Sequence, residues 1–497
     1  MRGDPPVDGQ TGEQGKQYQR LVICNATVVN GRGTPAEGPV DIVIERDKIV
    51  DIIKTDAISL ARQPAGWQRP TGERMIDATG MYVLPGLVDM HVHVPLDNHR
   101  VGPRGWEYVY KLLLGHGITT IRTCGFGGEE TLYEHRRLAE LPGGPPIPRM
   151  VVLYGWPRHQ PFAPDVARDM VRQYRDGGAD GIKLIDPVAE VVEPVCDEVR
   201  KIGMTGGTAI HLSLSSETDA VQASNAGVTT IEHTYGIPEA ALPGAQAFPP
   251  EYNEMDELQR FRQSGHNWTE ADRYTDRVLG VLDLMIRNGT VWNPTMVVYE
   301  ANRDLARARL SEWNDKYTTP ALLKYWSPKP GVHASFHFDW RTADEIAWKR
   351  KYLIWMKYVN EFFARGGILT AGADAGSLYT LYGFSIVREL ELFQESGLHP
   401  LDIVQIASTN AARVLNRPDL AGGVRRGFTA DLAIVDGNPL ANFKLMYGAG
   451  VDSFLDDQVT KVKAGGVRWT IRAGTVFDAR ALMAEVEDYV TSCKATE

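Results

Sequence analysis

Eight short segments rich in apolar and β-branched residues recur through the middle of this chain, at 83–93, 118–124, 150–154, 181–185, 208–212, 228–233, 291–298 and 368–374. Helix-like stretches separate them, and strands joined by helix-length crossovers pair in parallel. Eight such units close most simply into a (β/α)8 TIM barrel, an α/β fold whose strands deliver their carboxyl ends to one common rim. Two of the units begin almost identically: Gly117-Ile-Thr-Thr-Ile121 and Gly227-Val-Thr-Thr-Ile231 each set a helix-ending glycine before a β-branched strand.

Outside the barrel, 20–78 reads as short alternating strands cut by Asn30-Gly31, Gly33 and Asp47-Lys48, and similar strands return at 430–435, 459–464 and 468–471. The expectation is a small β-sandwich domain built from both termini, with the barrel inserted between its halves. That gives a disordered tail at 1–19, half-sandwiches at 20–82 and 419–478, the barrel at 83–418, and a closing helix or tail at 479–497. Helices are expected over 269–288, with Thr269 as N-cap, and over 344–365, each stopped by glycine. Seven of the eleven tryptophans lie between Trp268 and Trp355, around a long insertion at about 238–345. That excursion suits a lid or added subdomain, and equally extra core or an oligomer contact.

A net charge of −10 without a basic stripe argues against nucleic acid or an anionic membrane as partner. No apolar run approaches the roughly 18 residues that cross a bilayer. Cys24, Cys124, Cys196 and Cys493 form no C-x-x-C pair, so neither a thiolate zinc site nor a disulfide framework is indicated, and a reducing compartment fits. The polar start of the chain lacks the features of a secretion signal, and the expected location is cytoplasmic.

The chemistry gathers at the strand tails. His91 and His93 are two residues apart at the end of an apolar run, so in an extended strand both imidazoles share a face and can meet one cation. Lys183, His211, His233 and Asp374 each end a later strand. Residues far apart in sequence converge when they sit at strand ends on one barrel rim.

The ordered set Leu87-Val-Asp-Met-His-Val-His93, Lys183, His211, Glu232-His233 and Gly372-Ala-Asp374 resembles the amidohydrolase superfamily, in particular its imidazolonepropionase-like and prolidase-like, carboxylated-lysine dipeptidase branch. Ala407-Ser-Thr-Asn-Ala-Ala412 and Gly427-Phe-Thr-Ala-Asp-Leu432 resemble that superfamily's last barrel helix and return to the sandwich. The resemblance implies two divalent metal ions, zinc by preference. His91, His93 and Asp374 would hold one, His211 and His233 the other, and Lys183, carboxylated by CO2, would span them. An ammonium has no acceptor, so a lysine serves as ligand only after such conversion. A bridging hydroxide would then attack the scissile carbonyl with Asp374 as general acid and base. Tyr235 is a candidate donor to the oxyanion, and Tyr154, Arg158 and His159 are candidate substrate contacts, Arg158 as a carboxylate clamp.

The implied activity is hydrolysis of the amide bond in a small substrate such as a dipeptide or N-acyl amino acid, by an enzyme that assembles as a homo-oligomer. Leu212 and Ser213 follow His211 where many imidazolonepropionase-like relatives carry a second histidine, which argues against that activity. Two other readings remain: a mononuclear deaminase or cyclic-amide hydrolase, and a non-catalytic barrel serving as an assembly subunit.

Overall fold

Seven strands form one parallel sheet: β1 (Leu87–Val92), β2 (Ile118–Cys124), β3 (Arg149–Gly155), β4 (Gly181–Ile185), β5 (Gly207–His211), β6 (Thr230–Glu232) and β7 (Val291–Asn293). Each pairs with its sequence neighbours, as short βα units require. The computed structural model describes residues 14–496 except positions 65, 97–100, 102–104, 126, 215, 245–247, 254, 418–421 and 455–458.

The eighth expected strand, 368–374, is an extended segment rather than a regular strand. It bridges β7 at Trp292 and Leu369 and β1 at Val92 and Ala375, both in parallel. The Thr370 amide donates to the Trp292 carbonyl at 3.1 Å and the Asp374 amide to that of His91 at 2.9 Å. The segment therefore spans the gap between the two edges of the sheet. Its composition explains the irregularity: a Cβ on Gly372 would lie 2.9 Å from the Cβ of His91, so the backbone packs where a strand with side chains could not.

Among the described residues the second sheet has nine strands, drawn from both ends of the chain. Met81–Pro85 is its stitch, pairing in parallel with Arg20–Val28 and antiparallel with Leu432–Asp436. Its core is separate from the barrel's and includes Ile23, Ile42, Leu432 and Ile471. The apolar run expected as a single strand over 83–93 is thus two strands in two sheets, parted at Gly86, where a Cβ would meet the Thr119 side chain at 2.2 Å. Lys16–Gln17 pairs with Thr475–Asp478, so sheet structure begins inside the stretch read as a tail; residues 1–13 lie outside the described residues.

Within the insertion, the helix expected from Thr269 is broken into Asn267–Ala271, a 3-10 turn and Thr275–Asn288, and it stops at left-handed Gly289. The second expected helix runs Thr342–Ala364. Trp268, Trp292, Trp326, Trp348 and Trp355 are all buried, so these tryptophans build core. Among the described residues, no helix is long and apolar enough to cross a membrane.

Candidate functional site

The barrel lumen is filled from below by Val88, Met90, Cys124, Leu153 and Ala209, among others. Above this plug, at the carboxyl rim, a cavity of about 300 Å³ is lined by all six expected ligand residues: His91, His93, Lys183, His211, His233 and Asp374. The ligand atoms of His91, His93 and Asp374 all lie within 4.8 Å of one another. His93 Nε2 is 3.2 Å and His91 Nε2 3.7 Å from Asp374 Oδ1. The rings of His91 and His233 are 4.8 Å apart between centroids, as are those of His211 and His233. The backbone is unusual here as well. His233 (φ 68°) and Asp374 (φ 48°) are left-handed, a conformation that bulky residues adopt only where the surroundings enforce it.

Lys183 is 1% exposed and its Nζ has no hydrogen-bond partner among the described residues. An unpaired ammonium at that depth costs several kcal/mol. Carboxylation, with loss of a proton, would replace the ammonium by an anionic carbamate whose oxygens accept, so the amine fits the donor set that two cations need. His211 Nδ1 likewise has no hydrogen bond among the described residues, with Asp186 Oδ1 3.7 Å away.

Electrostatics favour the neutral imidazoles that cations require. Burial and the nearby Lys183 charge push His91 down to about 4. Burial and the other histidines hold His233 well below its usual value, and burial lowers His211. Burial would raise Asp374, but His91 and His93 outweigh it and keep the carboxyl well below its usual range.

A second layer orients these groups. Glu232, wholly buried, meets His91 Nδ1 at 2.8 Å and accepts from Arg122 Nη2 at 2.6 Å and from Asn293 Nδ2 at 2.7 Å. This fixes the His91 tautomer and leaves Nε2 for the cavity. His233 Nδ1 lies 2.6 Å from Thr295 Oγ1. Glu232 was visible beside His233, but nothing in the sequence singled out Arg122 as its counter-charge.

The expected substrate contacts divide. Tyr235 and Arg158 line the cavity. Tyr154 does not: Val151 and Leu153 take the inward positions of β3, and Tyr154, on the opposite parity, stacks on Tyr174 outside the barrel at 3.9 Å. Its place as a substrate contact is therefore corrected. His159 lies on an adjoining cavity rather than the metal-competent one. Arg260, Glu257 and His333 reach the cavity from the insertion. Arg260 pairs with Glu257 at 2.7 Å, and His333 Nδ1 lies 3.0 Å from the same carboxylate.

Imidazoles and a carboxylate gathered at the carboxyl rim of a parallel barrel define a protein of metal-site barrel type. The model of the amidohydrolase family matches residues 357–475. An adenine deaminase of Listeria monocytogenes serotype 4b (strain F2365) is 24% identical over 413 residues, 80% of this chain and 54% of that protein. The chain spans about half the length of the full-length curated relatives it matches in this way. Among solved structures, a bottromycin amidohydrolase superposes with a TM-score of 0.65 at 17% identity, covering 99% of this chain and 94% of that one. A Xaa-Pro dipeptidase with bound methionine in its active site gives 0.60 at 19% identity, covering 92% and 100%. Residues 357–475 thus match the amidohydrolase family model, and the chain as a whole shares the fold of these two solved structures.

Proposed function

We propose that this protein is a binuclear metal-dependent hydrolase that cleaves the carbon–nitrogen bond of a small amide, such as a dipeptide or an N-acyl amino acid. The carrying observation is the buried Lys183 amine, unpartnered among His91, His211 and His233. A mononuclear site has no use for it. In this reading His91, His93 and Asp374 would hold one cation and His211 and His233 the other, with carboxylated Lys183 as a ligand available to both. When bound, the cations polarise the scissile carbonyl and activate water.

The chain's own residues do the rest. Asp374 takes a proton from the attacking water and returns it to the leaving nitrogen as the carbon–nitrogen bond breaks. Tyr235, 3% exposed and with its phenol pushed up chiefly by burial, stays protonated and donates to the oxyanion. Arg158 offers a planar fork to a substrate carboxylate. The insertion residues around Arg260 limit solvent access to the cavity.

The test is metal content by elemental analysis on protein prepared with zinc and bicarbonate, beside Lys183→Ala, followed by a screen of dipeptides and N-acyl amino acids. About two metals falling in the variant, with amide turnover, supports the reading; one metal in both sinks it. The likeness to an adenine deaminase over 80% of the chain favours one second reading, deamination, here taken with a single cation. Ammonia released from adenine by protein holding one metal would establish that instead.

A further inference from the structure

The metal-competent cavity does not end at its own wall. A second cavity of about 340 Å³ adjoins it, and the two share Arg158, Asp186, Ser213, Glu257 and Arg260. The inner one, at about 300 Å³, is at the low end of ligand-site volumes, which run roughly 300–1,000 Å³. Resting on the hydrolase reading above, we propose that the substrate is longer than a dipeptide: a peptide amide whose reacting bond lies in the inner cavity and whose next residue crosses a charged collar into the outer one.

The collar is built rather than incidental. Asp186, a left-handed residue (φ 44°) just past β4, accepts from the Ser213 amide at 2.8 Å. It also faces His211 Nδ1 at 3.7 Å, so the collar starts beside a ligand residue. Arg158, from the loop after β3, and Arg260, from the insertion, both act on Asp186 through their charge. Arg260 gives only Nη2 to Glu257, at 2.7 and 2.8 Å. A guanidinium has five N–H donors, so the same fork can also hold peptide carbonyl oxygens. Two arginines set against two anchored carboxylates suit a polar backbone passing between them, while Arg158 suits the terminal carboxylate of a substrate that ends there.

Beyond the collar the character changes. Pro187, Val188 and Met255 give the outer cavity an apolar side, while Ser216 and Glu217 keep another side polar. Met255 is 81% exposed at the mouth. A flexible thioether left in solvent at the edge of a cavity is an adaptable contact for an apolar side chain. The geometry thus fits a further residue with its backbone on the collar and an apolar side chain against Met255 and Val188.

The test uses the zinc- and bicarbonate-treated protein and the best dipeptide of a screened library, extended by one leucine at the amino or the carboxyl end. Rates are followed with products identified by mass. One of the two tripeptides is expected to show kcat/KM at least ten-fold above the dipeptide. Ser216→Trp, which fills the outer cavity, should bring that ratio close to one, and Met255→Ala should lower it several-fold. Met255 is exposed, so its variant keeps the test intact if the tryptophan variant fails to fold. Tripeptides cleaved no faster than the dipeptide, or a gain undiminished in Met255→Ala, overturn the inference and leave the hydrolase reading standing. Hydrolysis of none of these amides by metal-loaded protein overturns both.

Discussion

Two lysines of this chain are withdrawn from solvent almost completely, Lys183 at 1% exposure and Lys351 at 0%, and their surroundings could hardly differ more. Lys351, on the helix Thr342–Ala364, donates to the Ser264 carbonyl at 3.0 Å and to Ser264 Oγ at 2.8 Å. Its Nζ sits 4.1 Å from the centroid of the Trp348 ring, and Glu239 supplies an opposing charge. Lys183 Nζ has no hydrogen-bond partner among the described residues and shares its cavity with imidazoles. A buried amine with partners is part of the packing. One without partners among the described residues is the observation on which the proposed carboxylated, cation-bound lysine rests.

The sharpest way to break this contrast is to replace both amines with methionine. Lys183→Met should lower kcat/KM on the cleaved amide by about 10³-fold or more and reduce the metal per chain, since on the proposed reading it removes the ligand that both cations would share. Lys351→Met should keep turnover per folded molecule within a few-fold of the parent. Equal losses in the two variants would show that the difference in surroundings carries no function. Asp374→Asn belongs with the first group, with a loss on the order of 10²–10⁴ in turnover if the carboxylate moves the proton.

Glu232→Gln comes next. It leaves every cavity ligand in place but withdraws the carboxylate from His91 Nδ1 and the counter-charge from Arg122. Metal affinity, read by competition with a chromophoric chelator, should fall about 10–100-fold. An unchanged affinity would remove Glu232 from the site.

Stability should move in opposite directions in the metal-free proteins. Lys183→Met relieves an uncompensated buried amine and should be neutral or stabilising by about 1–4 kcal/mol. Lys351→Met strands the Ser264 acceptor and should cost about 1–3 kcal/mol. Denaturant titrations of the two variants check both signs at once, and a destabilised Lys183→Met would mean that its amine has a partner after all.

The same contrast explains what the sequence could say. Lys183, His211, His233 and Asp374 were legible because barrel topology turns the tails of separate strands into one rim, and topology follows from the strand–helix alternation. Tyr154 was misplaced because a strand's inward parity depends on its start: β3 begins at Arg149, and that puts Val151 and Leu153 in the lumen. Arg260, Glu257 and His333 were illegible because an insertion's path back over the rim leaves no period in the sequence. The completed Lys351 was hidden for a related reason, since its partners lie on Ser264 and Trp348, the first of them on another helix.

Glu300 extends the comparison to a buried acid that is fully partnered, and it sets the smallest expected effect. It accepts from Arg388 at 2.7 and 2.9 Å, from Arg303 at 3.0 Å and from Arg307 at 2.6 Å. Burial alone would raise its carboxyl, but these arginines outweigh it and bring it down to about 2 from an ordinary 4.5. Because the folded value is depressed, the network's contribution is complete above about pH 4.5 and is lost as pH falls toward 2. Glu300→Gln should therefore cost about 1–2 kcal/mol at pH 7, and the gap between parent and variant should close through that acid window. Parallel denaturation series at pH 7, 4.5 and 3 read it directly. A gap constant across the series would place the contribution in hydrogen bonds that the glutamine still makes or in packing, and would show that partnered charge matters less to this fold than the two lysines suggest.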